Sequence, residues 1–297
     1  MFVVAGASWH TGKAVAQSLL DQKRPVRVIT REVANGEPWK AKGAEVAVAN
    51  LGDADALVAA LRGARGAYLL VPRSFTQPDF RAHQDRIVDA IARAVEVNRV
   101  PHVVFLSSAG AQHPAGTGPI VGLHLAEQRL RGIEGTVCSF LRCAYFMENI
   151  PTWAGARAPT LGALTLPYDA LISFLPENLA FDMIAVADVA RQATSLLLDP
   201  PADSHVVEIG GPPITMGDAA RAIGRVIGRQ VHVETIPREA TVSTLIASGG
   251  TENLARLYRE WLEGIMSGHV CFEGGHRRVF GTTLVETVVR NVLGKNV

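Results

Sequence analysis

The chain has 297 residues, of which 48% are hydrophobic and 19% charged, with 29 basic against 28 acidic side chains and a formal charge of +1. That composition suits a packed globular protein and excludes a disordered one. A charge so close to zero carries no footprint for nucleic acid or an anionic membrane, and no apolar run is long enough to cross a bilayer.

In chain order, apolar β-branched runs at 2–5, 26–30, 45–49, 67–71 and 103–107 read as strands, and helical patterns at 13–21, 53–61 and 79–97 separate them. In the third pattern Ile87, Ala90, Ile91, Ala94 and Val95 recur at three- and four-residue steps, one buried face. Strands that are apolar throughout and alternate with helices imply an α/β, doubly wound parallel sheet of the Rossmann type. Beyond residue 142 the rhythm loosens, with prolines at 151, 159, 167 and 176. A strand at 206–209, a capping box at Thr215-Met-Gly-Asp218 leading a helix to Gly228, a strand at 231–236 and helices at 252–266 and 283–293 follow. The expected plan is a nucleotide-binding domain over 1–150 and a smaller α/β C-terminal lobe over 151–297, from which strands and a helix return to the first domain.

The first strand runs into GASWHTG, where a helix N-terminus offers unpaired N–H groups and partial positive charge to a phosphate. Gly6 makes the turn and Gly12 lets the helix close on the sheet. Trp9 stands where a third glycine would bring backbone nearest the phosphate, and it is expected to keep a negative φ with its ring outward. Gly6, Ser8, Trp9, His10, Thr11 and Gly12 are therefore the candidate phosphate loop. The second strand ends in Thr30-Arg31. An acid there selects NAD(H), whereas an arginine forks onto a 2′-phosphate, so NADP(H) is the expected cofactor and NAD(H) the lesser alternative. The competing reading is that Arg31 is solvated or paired with Glu32.

These residues, with VFLSSAGA at 104–111, EQRL at 127–130 and LRCAYFMEN at 141–149, resemble the NmrA-like family of atypical short-chain dehydrogenase/reductase relatives. The resemblance implies a Rossmann fold that binds NADP(H). It also implies either an NAD(P)H-dependent reductase of quinones or azo compounds, or a redox sensor that binds cofactor without turnover. Asn50 stands where the family has an aspartate near the adenine. The superfamily's Tyr-x-x-x-Lys pair occurs nowhere in the chain; Ile120 and His124 hold the corresponding positions. That excludes alcohol dehydrogenation by a tyrosine–lysine pair.

Near the expected nicotinamide stand Val71, Ser107 and Phe146 as cofactor contacts, and His124, Tyr145 and Ser108 as catalytic candidates. His124 is the leading proton donor, against the alternative that it caps a helix or bonds Glu127. Asn149 is expected to have a defined partner. Trp153 and Phe174 in the proline-rich segment are expected to cover a substrate pocket, and Arg277-Arg278 to face solvent. The cysteines Cys138, Cys143 and Cys271 suggest buried thiols in a reducing compartment, no metal is assigned, and the N-terminus shows no leader pattern, so a cytoplasmic protein is expected. Its partner is a small aromatic substrate in the reductase reading or a protein in the sensor reading, and a homo-oligomer stays open.

Overall fold

A computed structural model describes residues 1–150 and 169–293. Among them, eight strands form one sheet in which every neighbouring pair is parallel: β1 (Phe2–Val4), β2 (Val26–Thr30), β3 (Glu45–Val48), β4 (Gly66–Leu69), β5 (His102–Ser108), β6 (Val137–Cys143), β10 (His205–Gly210) and β13 (Arg277–Phe280). The order β13-β10-β6-β5-β4-β1-β2-β3 reverses direction between β1 and β4, which opens a crevice at the carboxyl ends of those strands. Helices α1 (His10–Asp21) and α6 (Val186–Leu198) pack together, and α3 (Ala54–Ala60), α4 (Phe80–Asn98) and α5 (Val121–Arg131) follow one another against each other. The short α2 (Glu37–Lys40) rests on β3. Covered in this way, β1 and β4 are buried at every residue, which is why they read as unbroken apolar runs.

Short strands β7 (Tyr145–Phe146), β9 (Phe181–Ile184) and β11 (Pro213–Ile214) form a second sheet, and β8 (Ala170–Ser173) pairs with β12 (His232–Thr235) in a third. Helices α7 (Met216–Ile227), α8 (Thr241–Ala247), α9 (Glu252–Met266) and α10 (Val285–Val292) complete the chain. A second apolar cluster, including Met147, Leu171, Met183, Ile223 and Leu262, lies apart from the main core. The expected capping box at Thr215 and Asp218 is present, and Gly228 ends α7 at φ +76°.

Two expectations are corrected. Arg277-Arg278 opens the edge strand β13, and Arg278 is half-buried, pairing with Asp182 at 2.8 Å and lying 3.7 Å from the Phe272 ring. Cys138 and Cys143 are buried, but Cys271 is exposed. Described residues contain no helix long and apolar enough to cross a membrane.

The main sheet buries a charge. The Arg142 guanidinium on β6 donates to both carboxylate oxygens of Glu127 on α5, at 2.9 and 2.7 Å, with the two side chains 6% and 5% exposed. Its remaining arm donates to Glu273 at 2.6 Å. Burial works against this charge, but the two carboxylates outweigh it and raise the Arg142 pKa. Removing one partner of such a pair strands the other in low dielectric. Glu127→Ala is expected to cost about 3 kcal/mol of unfolding free energy by urea denaturation, while an equally conservative change at exposed Glu45 costs under about 1 kcal/mol.

Candidate active site

The crevice begins where β1 becomes α1. Gly6 turns at φ +70°, and a Cβ on Gly12 would lie 2.2 Å from the Ala5 carbonyl and 2.4 Å from that of Gly6. Only glycine lets the helix approach the strand end so closely. Trp9 is the N-cap residue at φ −119°, ψ 166°, an ordinary extended conformation, and its ring is 46% exposed. An indole cannot cap, and the N–H groups of His10, Thr11 and Gly12 find no acceptor among the described residues. Three donors at a positive helix end form an anion cradle. Burial lowers the His10 pKa, and the nearby charges of Arg73 and Lys13 lower it further, as expected of a ring in a positive field. Ser8 is exposed beside this loop.

Arg31 and Asn50 follow β2 and β3 at the same, carboxyl edge of the sheet. Arg31 is exposed and makes no ion pair with Glu32 or any other described residue. Thr30 is buried and its hydroxyl donates to the Glu32 carbonyl at 3.1 Å, which holds the loop instead of reaching outward. Asn50 accepts from the Gly52 N–H at 3.0 Å through Oδ1 and keeps its amide N–H₂ for a ligand. These groups fit an adenosine phosphate with a further 2′-phosphate; no acid stands at position 31 to repel one.

Past β4 the crevice widens into a cavity of about 470 Å³, within the roughly 300–1,000 Å³ usual for small-molecule sites. Val71, Ser107, Ser108, Tyr145 and Phe146 all line it, so these sequence-predicted residues converge. The Ser107 hydroxyl donates to Glu127 at 2.5 Å, and that of Ser108 to the Ala109 carbonyl at 3.0 Å. Tyr145 stacks on Trp261 of α9 at 5.9 Å and meets Phe181 edge-on at 5.6 Å. Tyr258 meets Trp261 edge-on at 5.7 Å. Burial pushes the Tyr145 phenol up, so it stays protonated.

His124 stands apart from these residues. It is not among the cavity-lining residues; its Nδ1–H donates to the Ala111 carbonyl at 2.8 Å and its Nε2 accepts from Gln128 at 2.9 Å. Nor does it bond Glu127, which serves Arg142 and Ser107. Trp153 lies outside the described residues, and Phe174 packs on the second apolar cluster away from the cavity wall. The FMEN stretch acquires separate duties: Phe146 faces the cavity, Met147 enters the second core, and Glu148 accepts the Val186 N–H at 2.9 Å at the start of α6. Asn149 accepts from Arg73 at 3.3 Å. Sequence reasoning missed Tyr258, Trp261, Phe181 and Arg73. The first two lie on α9 among the apolar residues Leu254, Leu257, Leu262 and Ile265, and nothing in their spacing marks that face as open to a cavity.

The NmrA-like family model matches residues 1–264. The chain is 26% identical over 263 residues to an NAD(P)H azoreductase of Xenophilus azovorans, covering 88% of this chain and 85% of that one. It is 29% identical over 250 residues to a (4-alkanoyl-5-oxo-2,5-dihydrofuran-3-yl)methyl phosphate reductase of Streptomyces griseus, covering 83% and 81%. Among solved structures, an NADPH-dependent quinone oxidoreductase of Escherichia coli complexed with NADPH superposes with a TM-score of 0.78 at 21% identity, covering 98% of this chain and 99% of that one.

Arg31→Ala is expected to weaken NADPH binding about ten- to a hundredfold, the worth of charge-assisted hydrogen bonds, and to leave NADH binding nearly unaltered. Fluorescence titration of both cofactors checks this; equal losses for both would remove the 2′-phosphate from Arg31.

Proposed function

This chain belongs to the NmrA-like family, and on that premise we propose that it is an NADPH-dependent oxidoreductase that reduces planar, electron-poor aromatic acceptors, quinones or azo compounds, by direct hydride transfer without a tyrosine–lysine pair. The observation that carries the reading is the aromatic-walled cavity that continues from the cofactor crevice at Val71 and Ser107. A sensor needs no such space beside the nicotinamide, and this weighs against the non-catalytic alternative. The names borne by the relatives support the same class.

Bound NADPH supplies the hydride. The chain itself holds the acceptor flat, excludes water and offers a hydrogen bond. Trp261 and Phe181, packed around Tyr145, form apolar walls that would hold a flat acceptor by stacking, and the cofactor would supply the hydride there. Tyr145, kept protonated by burial, donates its phenolic hydrogen bond to the acceptor atom on which negative charge develops. Ser107 cannot donate there, because its proton is committed to Glu127; it orients the end of β5. The hydride and one proton drawn from solvent reduce a quinone to its hydroquinone, or an azo group to its hydrazo form.

The test is NADPH and NADH oxidation with menadione and a simple azo dye, run beside cofactor titrations. Turnover with NADPH preferred is expected; tight cofactor binding without turnover on any acceptor would turn the reading to a sensor. Trp261→Ala is expected to raise the menadione KM roughly tenfold, the scale of a lost aromatic contact. His124→Ala is expected to keep its turnover, because the ring lies off the cavity wall.

A further inference from the structure

The cavity wall carries few charges. Among the described residues that line it, only Arg73 and Asp182 are ionised side chains. Asp182 is neutralised by Arg278 at 2.8 Å. Arg73 makes no ion pair with any described residue; its recorded hydrogen bond, at 3.3 Å, goes to the neutral side-chain oxygen of Asn149. Arg73 is exposed, so the rim of this aromatic-lined cavity holds one guanidinium with no ion pair among the described residues. A guanidinium in such a place is a fork of parallel N–H donors that matches two adjacent anionic oxygens, and it loses little water in making that contact.

Asn149 takes one arm of this fork, which fixes its aim, and the backbone around Asn149 is anchored on both sides. Met147 before it and Ile150 after it lie in the second core, and Glu148 is bound to the start of α6. The positive field of Arg73 reaches Tyr145, whose phenol it acts to lower against the effect of burial. Arg73 and Tyr145 line the same cavity.

Resting on the reductase reading, we infer that Arg73 is a specificity-determining residue that selects acceptors bearing an anionic oxygen pair on the planar ring system, such as acidic hydroxyquinones or aryl carboxylates and sulfonates. The ring system lies between the aromatic walls and the anionic edge points to the cavity mouth at Arg73. No bond is made or broken at this residue. Its contribution is to the binding of substrate and transition state alike, so it acts on KM more than on kcat.

The test compares two nearly isosteric naphthoquinones: lawsone, whose 2-hydroxyl is ionised at neutral pH, and menadione, which carries a neutral 2-methyl group. Each is measured with wild type and Arg73→Met, alongside NADPH titration of both proteins. The ratio of kcat/KM for lawsone to that for menadione is expected to fall at least tenfold in the variant, chiefly through KM. In wild type the same ratio should fall as salt is raised, which a merely structural role would not produce. Equal losses for both acceptors would overturn the inference, as would a loss of NADPH affinity that accounts for the fall and so assigns Arg73 to the cofactor phosphates near His10. An unaltered ratio would overturn it too. If wild type reduces neither quinone, the reductase reading fails separately. Quenching of tryptophan fluorescence by lawsone in the NADP⁺-loaded protein then decides the anion site: a dissociation constant at least tenfold weaker in Arg73→Met upholds it, and equal or absent quenching overturns it.

Discussion

One buried cation organises the centre of this molecule. Arg142 sits on β6, covered from both sides, where an unpaired guanidinium would cost several kcal/mol. Glu127 answers it from α5 with both oxygens and Glu273 answers it from the turn ahead of β13. Through Glu127 the same network takes the Ser107 proton at the end of β5. Two strands, a helix and a distant loop are thereby held in one register around the floor of the cavity. A second buried acid, Glu208 on β10, binds the Gly274 N–H at 3.0 Å and fixes that loop again. The pair is of more use for placing these elements than for raw stability, since a well-packed apolar replacement could stabilise the sheet as well.

On that frame the crevice runs in one direction from charge to apolar surface. At one end stand the uncapped helix N-terminus, His10 and Arg31, all suited to phosphate; at the other stand Tyr145, Phe181 and Trp261. Arg73 lies between them. The tryptophan at position 9 fits this gradient without strain, because the N-cap position asks only for extended backbone and receives φ −119°. What it removes is a close backbone approach; the helix N-terminus and the nearby charges of Arg73 and Lys13 supply the positive field there.

The alternation of strands and helices over the first 107 residues was legible in the sequence, because a parallel sheet covered on both faces writes its strands as solid apolar runs. The helix ends at Thr215 and Gly228 were legible for the same kind of local reason. The strand β13 was not: RRVF carries two arginines, and it is a strand because it pairs with β10, with Arg278 lying over Phe272 and paired with Asp182, 96 positions away. The site divides in the same way. The glycine loop and the strand ends announce themselves locally, whereas the cavity wall is assembled from β7, β9 and α9, whose meeting is set by tertiary packing. His124 was singled out by its position relative to the absent tyrosine, and only the fold reveals that its two nitrogens are bonded to Ala111 and Gln128.

The reach of the Arg142 network also has a consequence for the order of events on the ribosome. Arg142 and Glu273 are 131 positions apart, so at about 5–20 residues per second roughly seven to twenty-six seconds of synthesis separate them. During that interval the nascent sheet ends at β6 or β10 with an open hydrogen-bonding edge, and its central cation holds only one of its two carboxylates. Closure of the cavity floor, capping of the sheet edge by β13 and completion of the charge network therefore coincide, once residues 273–280 have been made. A chain stopped short of residue 273 would present a phosphate loop with nothing finished to deliver a hydride to.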